Sequence, residues 1–232
     1  MAQVSGESTR RLLAIDPGVV NLAYCVLEWE AASAPPTELS LTLLQEAMRA
    51  GHLRILELSV LPLLSTGRNG SINAVLAGTV DFLLTRSNMI RSLHSVVIEQ
   101  QMKASMKQVA ACLYGGLRAL CPNVTVTMQS ASLKLAFGDL AAFVPSDPST
   151  GAVSLSTYAQ RKRAAVAVAT RLRDVMPASL AESYMASKKK DDLADALLHG
   201  LAGFCAAVPK TRTRTAPAAK RACTSRAAAA VV

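Results

Sequence analysis

The sequence predicts an α/β fold with a mixed five-stranded sheet flanked by helices. Five short apolar runs have the length of strands, and the first three follow one another with short links, as in an antiparallel meander. The last two alternate with helical patterns, which favours parallel additions to the same sheet. Of the 232 residues 51% are hydrophobic, so one domain of this length can bury a sizeable core.

Three predicted strands lie in the first part of the chain. The turn PGVVN joins the first two, and Pro62 ends the third. The intervening segment 31–51 begins as a linker, because Pro35 and Pro36 exclude regular pairing, and its second half predicts a short helix. These strands are predicted at residues 12–16, 22–29 and 53–63.

Helices and strands alternate in the remainder. Ser71 is predicted to cap a helix over 72–91, and segment 138–156, rich in Gly, Pro, Ser and Asp, predicts a loop. The other predicted elements are strands 94–101 and 123–129 and helices 102–120, 130–138, 158–175 and 191–204. The predicted organisation is a short N-terminal tail, residues 1–10, a single domain, residues 11–208, and a disordered C-terminal tail, residues 209–232.

Positive charge is concentrated at the C-terminal end of the chain. The net charge is +9 and the isoelectric point is about 9.6. A tail with many cations and no acid indicates a polyanionic partner, with nucleic acid the leading candidate, and the alternative is a merely solvated tail. The basic residues after position 209 are Lys210, Arg212, Arg214, Lys220, Arg221 and Arg226.

Cysteine usage and hydropathy indicate an intracellular, soluble protein. The five cysteines show no CxxC spacing and their number is odd, which favours free thiols in a reducing compartment over disulfides or a zinc site. No apolar run is long enough for a membrane span, and the segment before the first strand is too short for a targeting peptide. The alanine-rich composition favours a viral factory, a nucleus or a bacterial cytoplasm over a mitochondrion.

Carboxylates stand at unusual places in this pattern. Asp16 ends the first strand, Glu99 ends the strand VVIEQQ, and the last helix begins with Asp191, Asp192 and Asp195. Each has a simpler interpretation, since Asp16 can cap a turn, Glu99 can be an ordinary strand-end residue, and Asp191 or Asp192 can cap its helix. No such structural role explains Asp195 as readily, because it lies in the second helical turn, flanked by apolar residues, where an unpaired carboxylate is unfavourable.

Taken together, these acids predict a metal site. Converging carboxylates repel one another, and a divalent cation with a preference for hard oxygen ligands, Mg²⁺ or Mn²⁺, removes that repulsion. Two such ions roughly 4 Å apart can clamp a phosphodiester. Gly18 would let a phosphate backbone approach Asp16. A basic protein with an acidic metal centre has the features of a nuclease.

Three motifs, in order, resemble those of the Holliday junction resolvases in the ribonuclease H-like superfamily. The motifs are IDPGVVNLAYCVLE, VVIEQQ and KKKDDLADALLHG, within residues 11–204. The fungal mitochondrial and poxvirus branches are the most similar, and bacterial RuvC is more distant. Gln100 stands where arginine is frequent, segment 31–50 exceeds the usual link, and the basic tail is an extra.

This resemblance implies a five-stranded RNase H-like fold and a homodimer that nicks a four-way DNA junction symmetrically. The cofactor would be Mg²⁺, with Mn²⁺ as a substitute, and no small-molecule cofactor or membrane is expected. The helix after Glu99 resembles one used for dimerisation, where Gly115 and Gly116 would permit close contact or a break. The implied catalytic and metal-binding acids are Asp16, Glu99, Asp192 and Asp195, and Lys134 would lie near the scissile phosphate unless it is an exposed helix lysine.

Three other functions are compatible with parts of the pattern. An RNase H-like nuclease for flaps, forks or RNA–DNA hybrids would share the metal centre and differ only in its binding surface. An actin-like ATPase or sugar kinase also begins with a strand ending in Asp-x-Gly, but it needs two such lobes. A non-catalytic DNA-binding module does not explain the acids, which would repel DNA.

His199, four residues after Asp195, is not predicted to bind a metal ion.

Overall fold

A single mixed sheet with the strand order β3-β2-β1-β4-β5 organises the computed structural model. The structure describes residues 9–31, 38–64, 70–146, 151, 153 and 155–206. The strands are β1 (Thr9–Pro17), β2 (Asn21–Glu30), β3 (Leu53–Pro62), β4 (Ser95–Gln100) and β5 (Thr125–Ser130). The helices are α1 (Leu41–Arg49), α2 (Ile72–Thr85), α3 (Ser87–Arg91), α4 (Ala104–Leu120), α5 (Leu140–Phe143), α6 (Tyr158–Leu172), α7 (Ala178–Ala186) and α8 (Lys190–Ala206), with 3-10 helices at Ala131–Leu135 and Arg173–Val175.

Strand pairing follows the predicted combination of a meander and parallel additions. β1 pairs antiparallel with β2, which pairs antiparallel with β3, whereas β4 is parallel to both β1 and β5. Ile15 lies opposite Ile98 in the register of β1 and β4. The carboxyl ends of these two central strands therefore meet at one edge of the sheet, one residue before Asp16 and Glu99.

The sheet separates two hydrophobic cores, which explains why its central strand is apolar from Leu12 to Ile15. Leu12 and Ala14 of β1 face a core shared with α1, α6 and α8, and the alternate residues Leu13 and Ile15 face α2 and α4. Both sides are covered, so the strand shows no alternation of apolar and polar residues.

Two glycines let α8 approach the sheet closely. A Cβ atom on Gly200 would lie 3.2 Å from the Cβ of Ala14, and one on Gly203 would lie 3.0 Å from both Cγ atoms of Val97. Larger side chains at these positions would push the helix outward. The close packing brings the first turns of α8 towards the ends of β1 and β4.

Several predicted element boundaries were wrong. The predicted helix 72–91 is divided at Arg86, whose φ of −100° and ψ of 10° lie outside the helical region. The predicted loop 138–156 contains the short helix α5, and α7 was not predicted. The predicted helix 158–175 has the predicted bounds, with its last turn, Arg173–Val175, in the 3-10 form. The helix predicted at 130–138 is a shorter 3-10 helix, Ala131–Leu135.

The double glycine does not break its helix. α4 is continuous, and a Cβ atom on Gly116 would lie 2.4 Å from Leu83 Cδ1, so this glycine permits close contact with α2.

Four cysteines in the described part of the chain are free thiols, Cys25, Cys112, Cys121 and Cys205. Cys223 and the tail predicted to be disordered lie outside the described residues. Across the described ranges, no helix has the length and apolar character needed to cross a membrane.

Candidate active site

Asp16 reaches the edge of the sheet because β1 ends there in a tight turn. A Cβ atom on Gly18 would lie 2.3 Å from the carbonyl oxygen of Asn21, a contact that no side chain can make. The turn is tied to β3 by the Leu63 amide, which donates to the Val20 carbonyl oxygen at 2.9 Å. The turn alone thus requires a glycine, apart from any approach of a phosphate to Asp16.

Glu99 is brought beside Asp16 by the parallel pairing of β4 with β1. It lies near the end of β4, opposite Gln129 of β5, and is only 6% exposed. A carboxylate so buried needs compensation by a cation or by hydrogen-bond donors. Lys134 supplies part of this compensation.

The last helix contributes two acids from one of its faces. Asp195 is 7% exposed, and Asp192, one turn earlier, lines the same cleft as Asp16 and Glu99. The neighbouring Asp191 is paired instead with Lys162, whose ammonium also lies 3.7 Å from Asp192 Oδ1.

Lys134 lies among the acids instead of on an exposed helix surface. The 3-10 helix after β5 directs its side chain, 13% exposed, into the cleft. Its Nζ atom is 3.2 Å from Glu99 Oε2 and 2.9 Å from Asp195 Oδ2. This ammonium is therefore the cation that bridges β4 and α8.

Burial raises the pKa of three carboxyl groups of the cleft, those of Asp16, Glu99 and Asp192. Burial and the charge of Glu99 raise the pKa of Asp16 to about 8, although Lys134 partly opposes this. Burial likewise raises the pKa of Glu99, and burial together with Asp191 raises the pKa of Asp192. Burial lowers the pKa of Lys134, but Asp195 and Glu99 outweigh it and the net change is upward. An added cation would relieve these carboxyl groups.

The cleft has a volume of about 290 Å³, and its donors are suited in kind to a hard divalent cation. Within the described ranges, however, no three acidic, histidine or cysteine side chains are already gathered closely enough to hold a metal ion. The ammonium of Lys134 lies between Glu99 and Asp195, so binding of a cation would require these side chains to move.

Sequence reasoning missed two residues of this cleft. The side chain of Gln101 donates from Nε2 to Asp16 Oδ1 at 3.0 Å, and Lys162 reaches in from α6 beside Tyr158. Gln101 is two residues after Glu99, and the period of a strand would have placed both on one face. No local pattern relates Lys162 to the acids, since the contact depends on packing of α6 against α8.

His199, four residues after Asp195, lies inside the protein. Its side chain is fully buried, and burial together with the charge of Lys134 lowers its pKa to about 3. The ring is therefore neutral at physiological pH.

Comparisons with known proteins show the fold. No protein-family model matches the chain, and no curated protein sequence does. The yeast mitochondrial Holliday junction resolvase superimposes with a TM-score of 0.53 at 15% identity, over 85% of this chain and 81% of the yeast chain. RuvC from Thermus thermophilus gives 0.48 at 15% identity, over 84% and 95% of the two chains, and its complex with a Holliday junction substrate gives 0.46 at 16% identity, over 84% and 94%. The chain thus has the RNase H-like fold of the yeast resolvase, which confirms the predicted fold class and, at the level of the fold, the predicted resemblance.

Proposed function

We propose that this protein is a divalent-metal-dependent DNA endonuclease that resolves four-way junctions by paired, symmetric nicks. The observation that carries the proposal is the convergence of four carboxylates and two lysines in one cleft, at the edge where β1 and β4 end. Glu99 and Asp195 are almost fully buried there and share the single ammonium of Lys134, although burial of carboxylates that are not fully neutralised is costly. A fold that only bound DNA would gain nothing from this arrangement.

In this proposal each side chain of the cleft has a role that its position supports. Asp16, Glu99, Asp192 and Asp195 would hold Mg²⁺, with Mn²⁺ as a substitute. When bound, the metal ions neutralise phosphodiester charge and make water a better nucleophile. Lys134 is the cation nearest to Glu99 and Asp195 and would contact a phosphate oxygen once those acids are otherwise neutralised.

Binding of the junction would depend on backbone charge and shape. Tyr158 and Lys162 line the cleft at the start of α6, beside the exposed Arg161. Such groups recognise phosphates and do not read base sequence. The basic residues after position 209 would add salt-sensitive affinity through counterion release.

A homodimer would supply the two active sites that paired nicks require. An apolar groove, here called the α4 groove, runs between α4 and the edge strand β5 with a volume of about 410 Å³. Tyr114 and Met128 are each 42% exposed there, and Gly115 leaves open space above the helix. A two-fold dimer through this groove would match the symmetry of a four-way junction. Its lining is mainly Ala110, Ala111, Tyr114, Gly115 and Met128.

The testing experiment is cleavage of a labelled synthetic four-way junction beside matched duplex, flap, fork and RNA–DNA hybrid substrates. Each substrate is incubated with the full-length chain in Mg²⁺, in Mn²⁺ and in EDTA. We expect paired nicks at symmetric positions on the junction, only with metal.

Two results would contradict parts of the proposal. Metal-dependent cutting of flaps, forks or hybrids without cutting of junctions would keep the catalytic centre and overturn the substrate. Cutting in EDTA, or no cutting of any substrate, would overturn the metal-dependent nuclease itself.

A further inference from the structure

Within the described part of the chain, Gln101 is the side chain that donates a hydrogen bond to Asp16. It follows directly on the last residue of β4, and its carboxamide is buried, with 9% of the residue exposed. The Nε2 atom lies 3.0 Å from Asp16 Oδ1. A carboxylate can only accept, so an ionised Asp16 fixes the carboxamide with its nitrogen towards the acid.

This contact differs from those of the other acids. Glu99 and Asp195 both contact the ammonium of Lys134, and Asp192 lies near Lys162 and Lys189. Asp16 instead has a neutral donor, which restricts its orientation without neutralising its charge. One oxygen of Asp16 is engaged by the amide, and the other has no hydrogen-bond donor among the described side chains and is available to a cation.

We infer that Gln101 is a positioning residue that orients the Asp16 carboxylate for a divalent metal ion. The inference rests on the proposed function. It assigns Gln101 no contact with the substrate. Hydrogen bonds that orient a metal ligand in this way typically change metal affinity by about 10–100-fold.

The test measures Mn²⁺ binding to the full-length, DNA-free protein by electron paramagnetic resonance. Gln101→Met keeps the length of the side chain and removes the donor. Gln108→Met, at an exposed position on α4, is the matched control. We expect Gln101→Met to weaken Mn²⁺ binding about tenfold and the control to bind as the wild type does.

Kinetics separate positioning from a merely structural role. With Gln101→Met, the metal concentration for half-maximal cleavage should rise, the KM for the junction should stay unchanged, and excess Mn²⁺ should restore kcat. A loss of kcat that excess metal does not restore, or a raised KM, would overturn the inference.

A measurement on the metal-free protein keeps the inference testable if Gln101→Met does not fold. The side-chain amide resonances of Gln101 should shift in Asp16→Ala, as followed by ¹H–¹⁵N NMR, and those of Gln108 should not. Unmoved Gln101 resonances, or equal Mn²⁺ affinity of Gln101→Met and the wild type, would reject the inference and leave the proposed function standing. Mn²⁺ binding that follows the prediction in a protein that cuts only other substrates would support the inference and reject the junction as substrate. A wild type that binds no Mn²⁺ would overturn both.

Discussion

Asp16 and Asp195 are the acids whose charge the proposed chemistry needs most directly. Replacing either by Asn keeps its shape and removes its charge. We expect Asp16→Asn and Asp195→Asn each to reduce junction cleavage below about one hundredth of the wild-type rate, because a metal ligand is lost. Junction binding in EDTA, measured by gel shift, should be unchanged. The exposed Asp81 of α2 provides the control Asp81→Asn, and normal cutting by either site variant would show that the assigned centre is wrong.

Lys134 contacts the same acids that would hold metal, so its removal should have two opposite effects. In Lys134→Met the repulsion between Glu99 and Asp195 is unopposed, and a divalent cation no longer competes with an ammonium. We expect several-fold tighter Mn²⁺ binding by the DNA-free protein, together with slower junction cleavage. Isothermal titration and single-turnover cleavage measure the two effects. Weaker Mn²⁺ binding by Lys134→Met would show that the ammonium does not compete with the metal.

At the scale of elements, Asp139 joins two distant segments. Its carboxylate accepts hydrogen bonds from the amides of Leu41 and Thr42, each at 2.8 Å, and from the Ser40 hydroxyl at 2.9 Å. This caps the start of α1 from the segment that follows the 3-10 helix of Lys134. We expect Asp139→Ala to lower the free energy of unfolding by about 1–2 kcal/mol, as loss of a helix cap does. Urea unfolding measures this change.

The same cap predicts a pH dependence. Burial raises the pKa of Asp139, but the hydrogen bonds from Thr42, Leu41 and Ser40 outweigh it and hold the pKa below the usual 3.8. A carboxyl whose folded pKa is lowered stabilises the protein above its unfolded pKa, and this stabilisation is lost as the pH falls through the folded pKa. The stability difference between wild type and Asp139→Ala should therefore be full at neutral pH and shrink below about pH 4. A difference that grows on acidification would contradict this origin.

The packing of α8 depends on its glycines. Gly203→Leu would place a branched side chain where even a Cβ lies 3.0 Å from Val97. We expect a loss of roughly 1–3 kcal/mol in unfolding free energy from overpacking. Weaker Mn²⁺ binding should accompany it, since Asp195 moves with the helix. Ala206→Leu, at the exposed end of α8, adds similar bulk without this crowding and should leave both unchanged.

The elements with a strong period were predictable from the sequence, and those decided by packing were not. Short apolar runs predicted all five strands, because strands that pack against helices on both faces of the sheet are apolar over most of their length. The break at Arg86 is marked by no proline or glycine in the sequence, and α7 has no regular apolar face. Short helices without a regular apolar face are stabilised by packing against the rest of the protein, so the local sequence does not predict them.

The acids of the candidate site could be predicted from the sequence, but the polar side chains that contact them could not. Asp16, Glu99 and Asp195 stood out because each is a carboxylate where the pattern requires an apolar or buried residue. Gln101 and Lys162 are polar residues at ordinary positions, and only the tertiary structure brings them into the cleft. The sequence also suggested a substrate reason for Gly18, whereas the turn itself requires a glycine.

At the scale of the whole molecule, the proposed resolvase needs two copies of the chain held in a fixed relation. Two simultaneous nicks at symmetric positions require two active sites related by a two-fold axis. The α4 groove lies on the β5 side of the sheet, and its exposed apolar side chains would be covered in a dimer.

Tyr114→Glu would place a charge in the centre of that groove, where burial would be costly. We expect the variant to be monomeric by light scattering, to retain the far-ultraviolet circular dichroism of the wild type, and to nick junctions on one strand at a time. Leu84→Glu makes the same kind of change at a residue that is 57% exposed on α2 and should leave the mass and the paired nicks unchanged. If Tyr114→Glu remains a dimer, or Leu84→Glu dissociates it, the dimer forms through another face. A monomeric variant that still cuts both strands at once would instead separate paired incision from dimerisation.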